Sequence, residues 1–297
     1  MSGSVAIAGP LARFHGARVE GPEWFDRAIA TPAESGWVTV DRAAIHYLRW
    51  GARAKPGLIL VHGNGAHAYW WSFIAPFLAR EYNVAAIDLS GMGDSAHRDA
   101  YTMEHFAHEL LAVAEHAGMF DNAEPPIIVG HSFGGRVVTA AAAALAPQTP
   151  GVSLTLLQAA YSHNGLAAKF DGEHDGFFRT VVADSRVSGP IVITHTKNDK
   201  AVGVAYPLAS RIANDKAAAF GDANDPYGGM GRNGAQKTDK VADAPRQLLD
   251  LGELIDQPYL FRPGAVYNLN ADRFIADHSN ITGQEVAAAL LAVASVT

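Results

Sequence analysis

Buried strands stand out in this chain as short apolar runs: Gly57–Val61 (Gly-Leu-Ile-Leu-Val), Asn83–Ile87, Ile127–Val129, Ser153–Leu157, Pro190–His195 and Ala265–Leu269. Runs without polar alternation belong to a sheet covered on both faces, because a half-solvated strand would alternate. Ahead of them, Gly36–Val40 and Ala44–Trp50 flank Asp41-Arg42 in the pattern of an antiparallel hairpin. Helical spacing appears between the strands. Ala68–Arg80 carries Tyr69, Trp70, Trp71, Phe73 and Phe77. Thr102 can N-cap a helix with Met103, Phe106, Leu110, Val113 and Ala117 on one face and Gly118 as its stop. An Ala-rich stretch runs from Arg136 to about Ala146, and Thr282–Glu285 reads as a capping box before Val286, Leu290 and Val293. A hairpin followed by strands alternating with helices predicts an α/β fold, a mostly parallel eight-stranded sheet with helices on both faces. Residues 1–34, with three prolines, are expected to be irregular, and 35–297 to form the main domain.

Composition narrows the function. The 297 residues are 48% apolar, enough for a large core. The net charge of −7 comes without a basic block, which argues against nucleic acid or an anionic membrane as partner. With no cysteine there is no disulfide framework, thiol nucleophile or Cys-ligated zinc. Met1–Pro10 has no basic n-region, and no apolar run approaches the ~20 residues that span a bilayer. A cytoplasmic protein without a membrane span is the expectation.

The chemistry centres on Pro126–Gly135. The run Ile127–Val129 leads into Gly130-His131-Ser132-Phe133-Gly134, and a helix follows. Strand, tight turn and helix form the context in which G-x-S-x-G presents a nucleophilic serine. A serine hydroxyl needs a base, and the base an orienting acid, which in this sheet order follow the serine as acid then base at strand ends. Asp199 lies just past the strand ending at His195, and His278 past the last strand. Rival acids are Asp171, Asp175, Asp184, Asp272 and Asp277; rival histidines are His163, His174 and His195. An oxyanion needs preorganised N–H donors. Phe133, just after the serine, and Asn64, in the loop His62-Gly63-Asn64-Gly65, are the candidates. His67, Tyr69, Trp70 and Trp71 follow that loop and belong either to the core or to an acyl pocket, while His131 reads as a packed neighbour of the turn. Asp88–Ser95 has its glycines at G-x-G spacing without the third glycine of a dinucleotide fingerprint, and the Gly130 turn lacks a phosphate-loop Lys. No cofactor and no metal are expected.

With His62-Gly-Asn-Gly65, Asp88–Ser95, Gly130–Gly135, the Asp199 turn and His278 in place, the chain from about Trp37 onward resembles the α/β-hydrolase family, its serine-nucleophile, esterase- and lipase-like branch. The resemblance implies Ser132 as nucleophile, His278 as base, Asp199 as acid, and Asn64 and Phe133 as oxyanion donors; Trp70, Trp71 and His67 are the substrate-side candidates by their place after the oxyanion loop. Serine in place of aspartate speaks against the epoxide hydrolase and haloalkane dehalogenase branches. The implied activity is hydrolysis of carboxylic esters with small to medium acyl chains through an acyl-enzyme. Lipase, thioesterase, carbon–carbon hydrolase, hydroxynitrile lyase and perhydrolase chemistry reuse the same elements, and a binding protein on this scaffold is the alternative of another class.

The sequence departs from the family pattern twice. The usual cap position, residues 158–189, has room only for short helices such as Gly176–Ala183. Acid and base are 79 positions apart, with an excursion at about 213–245 whose Gly-, Asp- and Asn-rich stretch 220–233 reads as a surface loop or lid. Asp222, Asn224 and Asp225 suggest calcium, but Pro226 and the missing Glu break the EF-hand spacing. Leu156–Leu166 and Thr194–Arg211 weakly resemble uncharacterised bacterial hydrolase-like proteins, and a chain joined from two lineages would change the acyl pocket rather than the triad.

Overall fold

The computed structural model describes residues 15, 21–146, 152–205 and 227–296. Eight strands form one sheet: β1 (Glu34–Val40), β2 (Ala43–Trp50), β3 (Gly57–Val61), β4 (Asn83–Ile87), β5 (Ile127–His131), β6 (Ser153–Leu157), β7 (Ile191–His195) and β8 (Val266–Asn270). Their spatial order is β1-β2-β4-β3-β5-β6-β7-β8. β2 runs antiparallel to both β1 and β4, and every later pairing is parallel.

Both faces are covered, as the apolar runs require. On β3, Ile59 and Val61 point into one core while Leu58 and Leu60 point into the other; on β4, Ala85 and Ile87 oppose Val84 and Ala86. This is the period of two read along each strand. The first core is closed by α3 (Met103–His116), α4 (Phe133–Ala144) and α5 (Arg179–Ala183). The second is closed by a 3₁₀ turn (Ala68–Phe73), α2 (Ala75–Leu78) and the last helix, Gln284–Ala294. Thr102 caps α3 as its sequence suggests, its hydroxyl accepting from the His105 N–H.

Four local expectations change. Residues 68–80 break at Ile74 instead of forming one helix, because Pro76 lacks an N–H and its ring would strike a carbonyl one turn back; it sits instead at the start of α2. The elbow helix begins at Phe133, not Arg136: Gly134 and Gly135 disfavour helix by propensity but are required by packing. A Cβ on Gly134 would lie 2.5 Å from the carbonyl oxygens of Val61 and His62. The last helix has Gly283 at its N-cap without a side-chain cap, while a capping box occurs at Asp250 and Glu253. Within the stretch expected to be irregular, Glu23–Ala30 forms a helix, α1, whose Trp24 leans on Phe77. Of the stretch 220–233 expected as a surface loop or lid, 220–226 with the calcium candidates Asp222, Asn224 and Asp225 lie outside the described residues, whereas 227–233 turn inward into a short helix, Met230–Asn233, whose Met230 and Gly231 are buried and bond to the Tyr161 and Ala159 carbonyls. Residues 158–189 carry one short helix, α5, beginning at Arg179 rather than Gly176. Among the described residues, no helix is long and apolar enough to cross a membrane.

One charged pair inside the first core ties the glycine turn to α3. Glu109 is fully buried; its carboxylate accepts from the Ser90 N–H at 3.0 Å and from Arg98 Nε at 2.7 Å, and Arg98 also donates to the Val40 carbonyl at 2.8 Å. Removing one partner of a buried pair strands the other charge. Glu109→Ala is therefore expected to lower unfolding free energy by about 3–5 kcal/mol, read as a shift of the urea midpoint at unchanged slope.

Candidate active site

The site forms where β5 turns into α4. Ser132 has φ 55° and ψ −121°, a left-handed conformation that a non-glycine residue adopts only under constraint. Its N–H donates to the Leu157 carbonyl at 3.0 Å, and its own carbonyl accepts from Gly135 and Ala160 at 3.0 and 2.9 Å. These bonds hold the turn to the end of β6. The glycines let other backbone pass: a Cβ on Gly130 would lie 2.5 Å from the Gly134 carbonyl oxygen.

Three side chains far apart in sequence meet there. His278 Nε2 lies 2.7 Å from Ser132 Oγ, and His278 Nδ1 lies 2.8 Å from Asp199 Oδ2. Ser132 retains 9% exposure and His278 20%, whereas Asp199 is fully buried. Asp199 Oδ1 accepts from the Val202 N–H at 2.9 Å. The Asp199 carboxylate is thereby fixed in the dry interior, while Ser132 and His278 keep some exposure.

Gln158, which the sequence reading did not single out, completes the support of the acid. It directly follows β6, has φ 47° and is fully buried. Its amide nitrogen donates to Asp199 Oδ2 at 3.2 Å and to the Gly231 carbonyl at 3.0 Å, and its oxygen accepts from the Thr194 hydroxyl at 3.0 Å. The available signal was its place at a strand's carboxyl end, shared with the loop residues and Ser132.

The other acids and histidines are committed elsewhere. Asp171 pairs with His174 on the surface, Asp175 accepts from the Lys169 N–H, and Asp184 pairs with Arg186. Asp277 accepts from the Ser279 and Asn280 N–H groups. Asp272 accepts from the Thr196 hydroxyl and the Lys197 N–H; burial works to raise its pKa, but these bonds outweigh it and bring it down to about 2. His163 contacts the Asn233 amide, and burial lowers the pKa of His195. His131 packs between Trp70 and His278, with ring centroids at 4.6 and 5.0 Å, and its Nε2–H donates to the His278 carbonyl at 2.9 Å.

The proposed oxyanion residues flank the serine. Phe133 is the first residue of α4, where N–H groups lack intrahelical partners. Asn64 follows Gly63, whose missing Cβ would lie 3.0 Å from Ser132 Cβ. Both residues line a cavity of about 640 Å³ walled by Met92, Met103 and Phe106. The three residues expected on the substrate side are distributed differently. Trp71 is 1% exposed inside the second core, Trp70 packs on His131, and His67 is exposed; none of the three is among the residues lining this cavity. The wall comes instead from the glycine turn and the start of α3.

Among the described residues, His46, Asp88 and Asp94 bring three metal-type ligand atoms within 4.8 Å. Both Asp88 oxygens are already occupied: Oδ1 accepts from the Ala68 N–H, and Oδ2 meets His46 Nδ1 at 2.7 Å and the Asp94 N–H at 3.1 Å. The cluster braces the glycine turn.

A family model described as the alpha/beta hydrolase family matches residues 58–295. The pimeloyl-[acyl-carrier protein] methyl ester esterase of Sodalis glossinidius is 36% identical over 85 residues, 29% of this chain and 30% of that protein. Epoxide hydrolase 4 of Mus musculus is 30% identical over 95 residues, 31% of this chain and 25% of its own. The chain thus spans less than a third of the length of either curated relative. Among solved structures, an alpha/beta hydrolase from Sphaerobacter thermophilus aligns over 43% of this chain and 46% of its own at 26% identity, with a TM-score of 0.37.

Burial lowers the His131 pKa from 6.5 to about 4. The unfolded chain takes up this proton below 6.5, whereas the folded chain does so only near 4. Stability contributed by the neutral ring is present above 6.5 and is lost as pH falls through that window, by about 1.4 kcal/mol per pH unit at most. Urea midpoints between pH 7 and 4 should decline, and His131→Asn should flatten part of the decline.

Proposed function

The chain belongs to the alpha/beta hydrolase family, and from that premise we propose that it is a serine hydrolase cleaving carboxylic esters with small to medium acyl groups. The observation that carries the reading is the continuous run Ser132 Oγ–His278 Nε2 at 2.7 Å and His278 Nδ1–Asp199 Oδ2 at 2.8 Å. In this reading the Ser132 hydroxyl donates to His278 Nε2, and His278 Nδ1–H donates to Asp199, which sets the tautomer. Ser132 Oγ attacks the ester carbonyl as His278 takes its proton. The oxyanion is met by the N–H groups of Phe133 and Asn64. His278 then protonates the leaving alcohol, and water, activated by the same ring, releases the acid from Ser132. The cavity of about 640 Å³ beside Asn64 and Phe133 suits an acyl group of modest length.

A hydroxyl at the elbow supports acyl transfer over epoxide opening through a carboxylate nucleophile, the branch that the resemblance sets aside. The test is hydrolysis of p-nitrophenyl esters from acetate to decanoate. Activity should peak at short to medium chains. Ser132→Ala and His278→Ala should reduce kcat by about 10⁴- to 10⁶-fold and Asp199→Asn by about 10⁴-fold. A folded parent inactive on every ester, with Ser132 unlabelled by a fluorophosphonate probe, would overturn the reading.

A further inference from the structure

Arg136 stands out among the cations beside the serine turn. It stands in the first turn of α4, one turn beyond Ser132, half-buried, and lines the cavity beside Asn64 and Phe133. Among the described residues it has no hydrogen-bond or ion-pair partner, whereas Arg98, Arg179, Arg186 and Arg273 all hold carboxylates. Its place is electrostatically unfavourable: the helix N-terminus carries partial positive charge, and no acidic residue occupies that first turn. Among the described residues, no Asp or Glu lines the cavity. A second polar group there is also unmatched, since the fully buried Ser90 hydroxyl has no hydrogen-bond partner among the described residues. An unneutralised guanidinium on a helix N-terminus, in a cavity whose wall combines apolar Met92, Met103 and Phe106 with the uncharged polar side chains of Asn64, Ser90, Tyr101 and Thr102, is a complement to an anion.

We propose that Arg136 binds a carboxylate carried by the substrate, which makes the preferred substrate a half-ester of a short aliphatic dicarboxylic acid. The inference rests on the serine-hydrolase reading and deepens it by naming the acyl group. Four helical positions place Arg136 about 6 Å along the axis from Ser132, a span of the order of a short diacid chain. The apolar side chains between them meet its methylenes, and the guanidinium fork meets the carboxylate with two N–H groups.

The test compares monomethyl adipate with methyl hexanoate, by acid release in a pH-stat, for the parent, Arg136→Gln and Arg136→Lys. The parent should favour the anionic ester more than tenfold in kcat/KM, mainly through KM. Arg136→Gln should reduce that preference about 30-fold, and Arg136→Lys should retain part of it. A parent that favours the neutral ester, or an Arg136→Gln variant keeping the preference within threefold, overturns the proposal. Adipate binding to Ser132→Ala by calorimetry separates this failure from that of the hydrolase reading. Adipate should bind there and weaken about 30-fold on adding Arg136→Gln; equal binding, or none, removes the anion site. Loss of fluorophosphonate labelling at Ser132 would count against the chemistry alone.

Discussion

The rest of the structure depends on one strained residue. Holding a serine at φ 55° costs about 1–3 kcal/mol, and the surrounding backbone supplies the constraint. The Leu157 carbonyl takes the Ser132 N–H, while Gly135 and Ala160 donate to the Ser132 carbonyl. Gly130 and Gly134 leave no side chain where β3, β5 and α4 converge. The site is therefore set by backbone geometry first, and the side chains are added to a frame that is already rigid.

The second requirement is to keep a carboxylate dry and aimed. Asp199 is fully buried, yet Val202, Gln158 and His278 all address its oxygens. A buried carboxylate with these donors remains a stable orienter, where an unpartnered one would be expelled. Gln158 extends this network to β7 through Thr194 and to the segment around Gly231, so the acid is tied to two elements besides its own loop. His131 does a similar service for His278 by holding its carbonyl.

The strands were legible because a doubly covered sheet writes itself as apolar runs, and the acid and base candidates were legible because strand ends are where this topology gathers side chains. The nucleophile turn carried its own glycine signature. The start of α4 was not legible: Gly134 and Gly135 oppose helix locally and are demanded by contacts with Val61, His62 and Ala159, residues distant in sequence. Gln158 escaped notice because its partners come from three separate segments. Trp71 was ambiguous for a related reason: an aromatic after the oxyanion loop satisfies core and pocket equally, and only the break at Ile74 turns it inward. Arg136 entered the sequence reading only as the start of an Ala-rich stretch, since its lack of a partner among the described residues is a property of the folded chain.

The separation of the three meeting side chains has a kinetic side. Ser132 and His278 are 146 positions apart, and His278 and Asp199 79. Each contact closes a long loop, so chain entropy opposes it until the intervening parallel strands have already paired. β5, β6, β7 and β8 stand side by side in that order, and the constellation spans all four. A chain that has formed only its first strands and helices carries the elbow without its base. Formation of the Ser132–His278 contact during refolding would then mark the arrival of β8 at the sheet, a clock for the last long-range pairing.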